Sequence, residues 1–273
     1  MVSELTTDLT GPGKTVFSQQ ALSRPLPFAD ILALDRLAVA AWAAPENEMH
    51  NGWLFRHAAG VSRRANSVAP FPLSEDIPLD DLLARVEAYY RARGLPPRLQ
   101  ISPAACPPGL DHVLAERGYE IESGVTIMIC EADKLAQAEI THNISITKTA
   151  PPGWWDLYIE GYQRDARDIA ARAQELPVFA ASTTDDGRMD AIGLGVAGGN
   201  WLAVFGMFTR PDCRGRGLGA AIIHALAGFT VARNGIGLYL QVENENLHAR
   251  RLYEKLGFRD VYGYHYRTLW TAT

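Results

Sequence analysis

Arg214-Gly215-Arg216-Gly217-Leu218-Gly219 stands between an apolar run, Trp201 to Phe208, and a segment of helical periodicity. In that segment Leu218, Ala221, Ile222, Ala225, Leu226 and Phe229 recur three or four residues apart, which predicts one buried helix face. A glycine-rich turn that opens a helix gathers backbone N–H groups with no intrahelical acceptor. With the positive end of the helix dipole they form an anion site suited to phosphate. Gly215, Gly217 and Gly219 leave the backbone open to close approach, and Arg214 and Arg216 add positive charge at the rim. The glycine spacing is not that of a dinucleotide fingerprint. No Gly-Lys-Ser/Thr follows, so a nucleotide P-loop is excluded as well.

Downstream, Leu238 to Val242 reads as a strand, and Asn246 to Phe258 as a short helix closed by Gly257. At this point the sequence resembles the GCN5-related N-acetyltransferases. That superfamily carries an R-x-x-G-x-G loop after a strand and, further on, an N-x-x-A-x-x-L-Y-x-x-x-G-F helix. Both match here without a gap, and the resemblance covers residues 140–273. It implies an α/β (α+β) fold with a mixed, mostly antiparallel sheet flanked by helices. It also implies an acyltransferase that passes an acetyl group from acetyl-CoA to an amine, by direct attack in a ternary complex. The loop Arg214, Gly215, Arg216, Gly217, Leu218, Gly219 is then the pyrophosphate site. Met207, Phe208 and Thr209 are the strand residues whose main chain pairs with pantetheine and brings an N–H near the thioester oxygen, a donor of value only when aimed at the developing oxyanion.

The remaining candidates each carry two readings. Tyr253 lies on the apolar stripe Ala249, Leu252, Tyr253, Leu256, which by periodicity is a core position. The resemblance makes it the general acid that protonates the leaving thiolate, as well as a cofactor contact. Asn246 is an N-cap by residue type and a cofactor contact by resemblance. An attacking amine, titrating near ~10.4 in water, must lose a proton, and a carboxylate can take it. Leu238, Leu240 and Val242 share one strand face, leaving Tyr239, Gln241 and Glu243 on the other. Glu243, near the strand end, is the first candidate for the base, and Glu245 the second. Trp154, Trp155, Tyr158 and Tyr162, on two short helices expected over Gly153–Arg164 and Asp165–Glu175, fall where relatives form the acceptor rim. The same spacing also suits a core. Two other classes share these residues: an acetyl-CoA-binding regulatory sensor without turnover, and an acyltransferase that uses another acyl-CoA.

Composition narrows the partners. The chain has 273 residues with 26 basic and 31 acidic side chains, a formal charge of −5. That balance argues against sequence-independent binding to nucleic acid. No apolar run spans a bilayer. Met1 to Gln20 is polar without an apolar signal core, so the expectation is a cytoplasmic chain that keeps away from membranes. Cys106, Cys130 and Cys213 are odd in number and widely spaced, which suggests reduced thiols. The seven histidines show no ligand spacing, so no metal is expected.

The first half reads as a degenerate copy of the second. Val68-Ala69-Pro70 falls 141 residues before Thr209-Arg210-Pro211, and Gly94 falls 141 before Gly235. Leu110 to Tyr119 parallels Ala249 to Phe258, now 139 apart. The expected organisation is a flexible lead-in (1–27), a degenerate acetyltransferase-like domain (28–132), a linker (133–143) and the catalytic domain (144–273). Glu75, Asp76 and Pro78 stand where the second copy has its glycines and arginines, and Leu114 stands opposite Tyr253. Two carboxylates repel a pyrophosphate, and proline removes a donor. One cofactor site per chain follows, with a small-molecule amine or amino acid as acceptor and a monomer whose domains pair as a pseudo-dimer. Trp53, Arg56, Arg63, Arg64 and Asn66 face two readings, as substrate contacts or as structure. Alternation makes Trp53 core and the arginines a solvated strand edge, so none is assigned to the site. The string Arg64 to Val68 is faintly similar to bacterial proteins assigned as glutamate acetylators.

Overall fold

The computed structural model describes residues 26–270; residues 1–25 of the expected lead-in lie outside the described residues. The first half runs α1 (Phe28–Ala41), β1 (Glu46–His50), β2 (Trp53–His57), β3 (Ala69–Pro70), α2 (Leu79–Arg91), β4 (Arg98–Ile101), α3 (Leu110–Glu116) and β5 (Glu120–Glu131). A short α4 (Ala132–Ala136) leads into β6 (Ile144–Thr147), α5 (Trp154–Tyr162) and α6 (Arg167–Ala171). The second half then repeats the earlier order: β7 (Leu176–Thr183), β8 (Met189–Gly198), β9 (Trp201–Thr209), α7 (Leu218–Ala232), β10 (Gly237–Glu243), α8 (Leu247–Lys255) and β11 (Arg259–Thr268).

The two halves exchange their last strands. An eight-stranded sheet has the order β4-β11-β5-β10-β9-β8-β7-β6, and a three-stranded sheet has the order β1-β2-β3. A parallel bridge between Val68 and Leu99 joins the two sheets. Thus β10 pairs antiparallel with β5 of the first half, and β11 with β4, while β5 and β11 pair with each other at the centre. All the named pairs are antiparallel except β9 with β10.

Alternation along β5 and β10 explains why both sheet faces are covered. Val125, Ile127 and Ile129 of β5 join Tyr239 of β10 and the β11 tyrosines in a core under α1 and α5. Met128 and Cys130 join Leu238, Leu240 and Val242 in a second core under α7. Of the helix stripe, Leu218, Ala221, Ile222 and Leu226 are buried, while Ala225 and Phe229 are half-buried. A third core holds Trp53 and Phe55 of β2 against α2 and α3. The expected helix over Asp165–Glu175 shortens to α6, because Gln174 N bonds Ala40 O of α1 at 3.2 Å and draws the chain out before β7.

The first core contains a carboxyl. Asp35 of α1 is buried and accepts hydrogen bonds from Ser102 Oγ and, at 2.8 Å, from Tyr262 Oη. Burial pushes it up to about 6, against the opposing pull of these bonds and of the Arg56 charge. A carboxyl raised in the folded state stabilises the fold fully below its unfolded value, and that contribution is lost as pH rises through about 6. The gap from an ordinary carboxyl corresponds to about 3 kcal/mol. Asp35→Asn keeps partners for both hydroxyls. It is expected to melt higher than the unaltered chain at pH 8, with the difference gone near pH 4; thermal melts at the two pH values check this, and no gain at pH 8 refutes it.

Candidate active site

The glycine loop leaves backbone N–H groups open at the start of α7. A 3₁₀ turn, Pro211–Cys213, ends β9 and delivers Arg214. Gly217 caps α7 at φ +81°, a left-handed conformation that disfavours side chains. The first intrahelical bond is Ala221 N to Gly217 O, at 3.0 Å, so the N–H groups of Leu218, Gly219 and Ala220 find no acceptor within the helix. A Cβ on Gly217 would lie 3.6 Å from His142 Cε1, and one on Gly219 would lie 3.3 Å from Leu252 Cδ2. His142, from the segment expected to be a linker, therefore flanks the loop, which the sequence reading did not foresee. Arg216 and Arg214 are exposed; they donate to Asp212 O (3.0 Å) and Thr209 O (3.3 Å). Cys213 is buried and free, in keeping with a spectator on the turn.

Above the loop, β9 and β10 separate. Their parallel register runs from Gly237–Trp201 to Leu240–Val204, although both strands continue further. On the other edge of β9 a bulge sets Phe205 to Phe208 opposite Leu194 to Ile192. Gly206 takes φ +56° at the bulge, and a Cβ there would sit 3.1 Å from the Tyr158 ring. Tyr162 Oη donates to Met207 O at 3.0 Å, tying the diverging strand to α5. Gly161 lets Phe208 close over that helix, since any Cβ would collide with the Phe208 ring.

A cleft of about 440 Å³ opens in the resulting wedge, lined by Gly206 and Met207 on one side and by Gln241, Asn246 and Tyr253 on the other. Tyr253 is 8% exposed, packs on Phe258 at 5.7 Å between ring centres, and has its hydroxyl pushed up to about 12 by burial. This side chain thus belongs to the core and also lines the cleft. Asn246 caps α8, accepting from Ala249 N at 3.1 Å, and also lines the cleft. Tyr158 and Tyr162 line it too, their rings stacked 4.7 Å apart, whereas Trp154 is wholly buried in the core.

A second cavity of about 320 Å³ adjoins the first; Trp42, Arg64, Arg164, Gln241 and Glu243 line both. Its far wall belongs to the first half, which supplies Val61 to Arg64. Glu243, at the end of β10, forms an ion pair with Arg63, which also reaches Glu122 at 3.4 Å. The carboxylate is thus on the cleft but already engaged, and it must release the guanidinium, or use its other oxygen through water, to take a proton. Glu245 is exposed outside both cavities.

The solvated-edge reading of the first-half arginines fails. Both faces of β2 are covered, so Arg56 is fully buried, and Arg63 and Arg64 project into the second cavity. Trp53 is core, as alternation suggests. The density of polar residues in Ser62-Arg63-Arg64-Ala65-Asn66-Ser67, beside a strand of otherwise apolar neighbours, was the available signal. Among the described residues no cluster of His, Cys, Asp or Glu is arranged to hold a metal, and no helix is long and apolar enough to cross a membrane.

Known proteins agree with this geometry. The family described as "Probable histone acetyltransferase Rv0428c C-terminal" matches residues 28–267. The uncharacterized N-acetyltransferase YobR of Bacillus subtilis is 29% identical over 247 residues, covering 87% of this chain and 98% of its own. Among solved structures, a GCN5-related N-acetyltransferase from Kribbella flavida superimposes with TM-score 0.67 at 15% identity, over 89% of this chain and 96% of its own. A tandem GNAT protein from the clavulanic acid biosynthesis pathway superimposes with TM-score 0.58 at 12% identity, over 93% and 92%. The family match across nearly the whole described chain makes this protein a member of the Rv0428c C-terminal family within the GCN5-related N-acetyltransferases.

Proposed function

We propose that the chain transfers an acetyl group from acetyl-CoA to the amine of a small molecule or amino acid, by direct attack in a ternary complex, at one site in its second half. The observation that carries this reading is the wedge between β9 and β10, which ends at the glycine cradle and opens on the arginine-walled cavity. Acetyl-CoA supplies the activated acetyl group as a thioester. The N–H groups of Gly215 to Gly219 hold its phosphates, with Arg214 and Arg216 at the rim. Main-chain groups of Met207, Phe208 and Thr209 pair with the pantetheine arm, where β10 has turned away. Tyr253 holds a proton at Oη for the departing sulfur. Glu243 receives the amine proton, directly or through water. Arg63, Arg64 and Arg164 around the second cavity favour an acceptor that also carries a carboxylate, as an amino acid does.

The first half supports a single site. Its groove beside β3 and β4 closes to about 10 Å³, and Pro70 O, where an added strand would bond, already accepts from Cys106 N at 2.9 Å. With the halves paired on one another, we propose a monomer. Incubation of the full chain with acetyl-CoA and a panel of amines, read by mass spectrometry, is expected to show one new amide; calorimetry is expected to show one CoA per chain. Binding without any product would favour the sensor, and product only with longer acyl-CoA would favour another donor. Two CoA per chain would assign the first half a working site.

A further inference from the structure

The acceptor side of the cleft is furnished by a turn between β2 and β3, residues 58–67, that no part of the acetyl-transfer chemistry explains. The turn is strained and has few strand partners. Ala59 takes φ +46° and Gly60 φ +79°, and Val61 N folds back on Ala58 O at 2.9 Å. Backbone groups in such a turn need side-chain partners. Asn66, 2% exposed, supplies most of them. Its Oδ1 accepts from Ala58 N (2.9 Å) and Gly60 N (3.2 Å), while its Nδ2 donates to Ser62 O (2.8 Å). That uses three of the four hydrogen bonds the amide can make.

Behind Asn66 the scaffold continues. Ser67 Oγ donates to Arg64 O at 3.3 Å and accepts from Arg56 Nη2 at 2.8 Å; Arg56 Nε also donates to Ser67 O at 2.9 Å, and its Nη2 to Gln100 Oε1 at 2.9 Å. Within this scaffold Asn66 fixes the backbone at Ala58, Gly60 and Ser62, and Ser67 Oγ fixes the main chain of Arg64 itself. Its guanidinium lies 5.4 Å from the Phe205 ring centre and 6.0 Å from that of Trp42. The Arg64 Nε is shielded from solvent without a partner, and among the described residues no carboxylate pairs with it. Two nearby arginines differ: Arg63 is held by Glu122 and Glu243, and Arg98 by Glu122 at 2.9 Å. A permanently charged side chain without a counter-ion in a partly desolvated wall is unfavourable unless a ligand completes it.

We propose that Asn66 is a positioning residue for the acceptor: it holds the 58–67 turn so that the Arg64 guanidinium stands in the cleft to meet the acceptor's carboxylate. The inference rests on the amino-acid reading above. A merely structural Asn66 would lower stability without changing which acceptors bind.

The test uses the full chain loaded with CoA, which cannot transfer, so that binding is read independently of turnover. Free L-amino acids are the probes, each compared with its α-amide by calorimetry. The unaltered chain is expected to prefer the free acid at least tenfold for the best probe. Arg64→Gln is expected to erase that preference, and Asn66→Ala to reduce it at least fivefold, with CoA affinity kept within twofold. In the double variant the loss is expected to equal that of Arg64→Gln alone, because Asn66 acts through Arg64. Ser67→Ala, which removes only the bond to Arg64 O and one Arg56 contact, is expected to give a smaller loss in the same direction and serves if Asn66→Ala does not fold. Losses that multiply in the double variant overturn the proposal. So does a folded Asn66→Ala or Ser67→Ala chain with undiminished preference, or an unaltered chain that binds acids and amides alike. Preferential binding without amide formation in the panel above would instead refute acetyl transfer and leave the positioning role standing.

Discussion

Gly217→Glu is expected to weaken acetyl-CoA binding at least about 100-fold while the chain stays folded. Gly217 is the left-handed N-cap of α7 at φ +81°, and the space where its Cβ would go reaches only the His142 ring, 3.6 Å away. The cost to the fold is therefore confined to one residue forced into a left-handed conformation, about 1–2 kcal/mol. The cost to binding is larger. A carboxylate would occupy the anion cradle, and charge-assisted hydrogen bonds of about 1.5–3 kcal/mol each would be lost from the pyrophosphate. Two such losses alone reach the expected factor. Gly217→Asn separates the effects, because asparagine tolerates the left-handed region and brings no charge; its affinity should fall between the two. Calorimetric titration with a thermal melt checks both, and an undiminished affinity in Gly217→Glu removes the cradle from the cofactor site.

Tyr253→Phe is expected to lower turnover by about 10²-fold or more, the scale of a lost general acid. Cofactor affinity and melting temperature should hardly move. The ring packs against Phe258 in the core beneath α8, and phenylalanine keeps that packing. What is lost is one hydroxyl, pushed up to about 12 by burial, which keeps its proton across the working pH range until charge develops on the sulfur. Single-turnover kinetics with acetyl-CoA and an active amine give the measurement. A sharp fall in stability with unchanged turnover per folded molecule would leave Tyr253 a core residue only.

Both predictions rest on segments legible in the sequence, because what defines them is local. The loop is one turn, and α7 and α8 carry their stripes within twelve residues or fewer. Even the facing of Glu243 follows from strand alternation. The arginine on Glu243 does not follow, since Arg63 lies 180 residues earlier. Strand exchange was equally hidden. Met128 and Cys130 alternate with Ile127 and Ile129 as they would beside any neighbour, so the pattern says which face is apolar but not which strand lies alongside. Arg56 misled because a charged residue in a strand usually marks an exposed edge; here Ser67 and Gln100 accept from its Nε and Nη2 inside the fold, and its Nη1 is left without a partner.

The place of β5 between β11 and β10 bears on how the chain folds as it is made. Its partners β10 and β11 are synthesised more than a hundred residues later. Until they emerge, β5 has open edges and an apolar face containing Val125, Ile127 and Ile129. Closing a sheet through such distant pairings is entropically slow. The candidate cleft, whose walls come from β10 on one side and the 58–67 turn on the other, is thus expected among the last features to form. Destabilising changes near β5 should be felt as poor yield of folded protein before they are felt as altered chemistry.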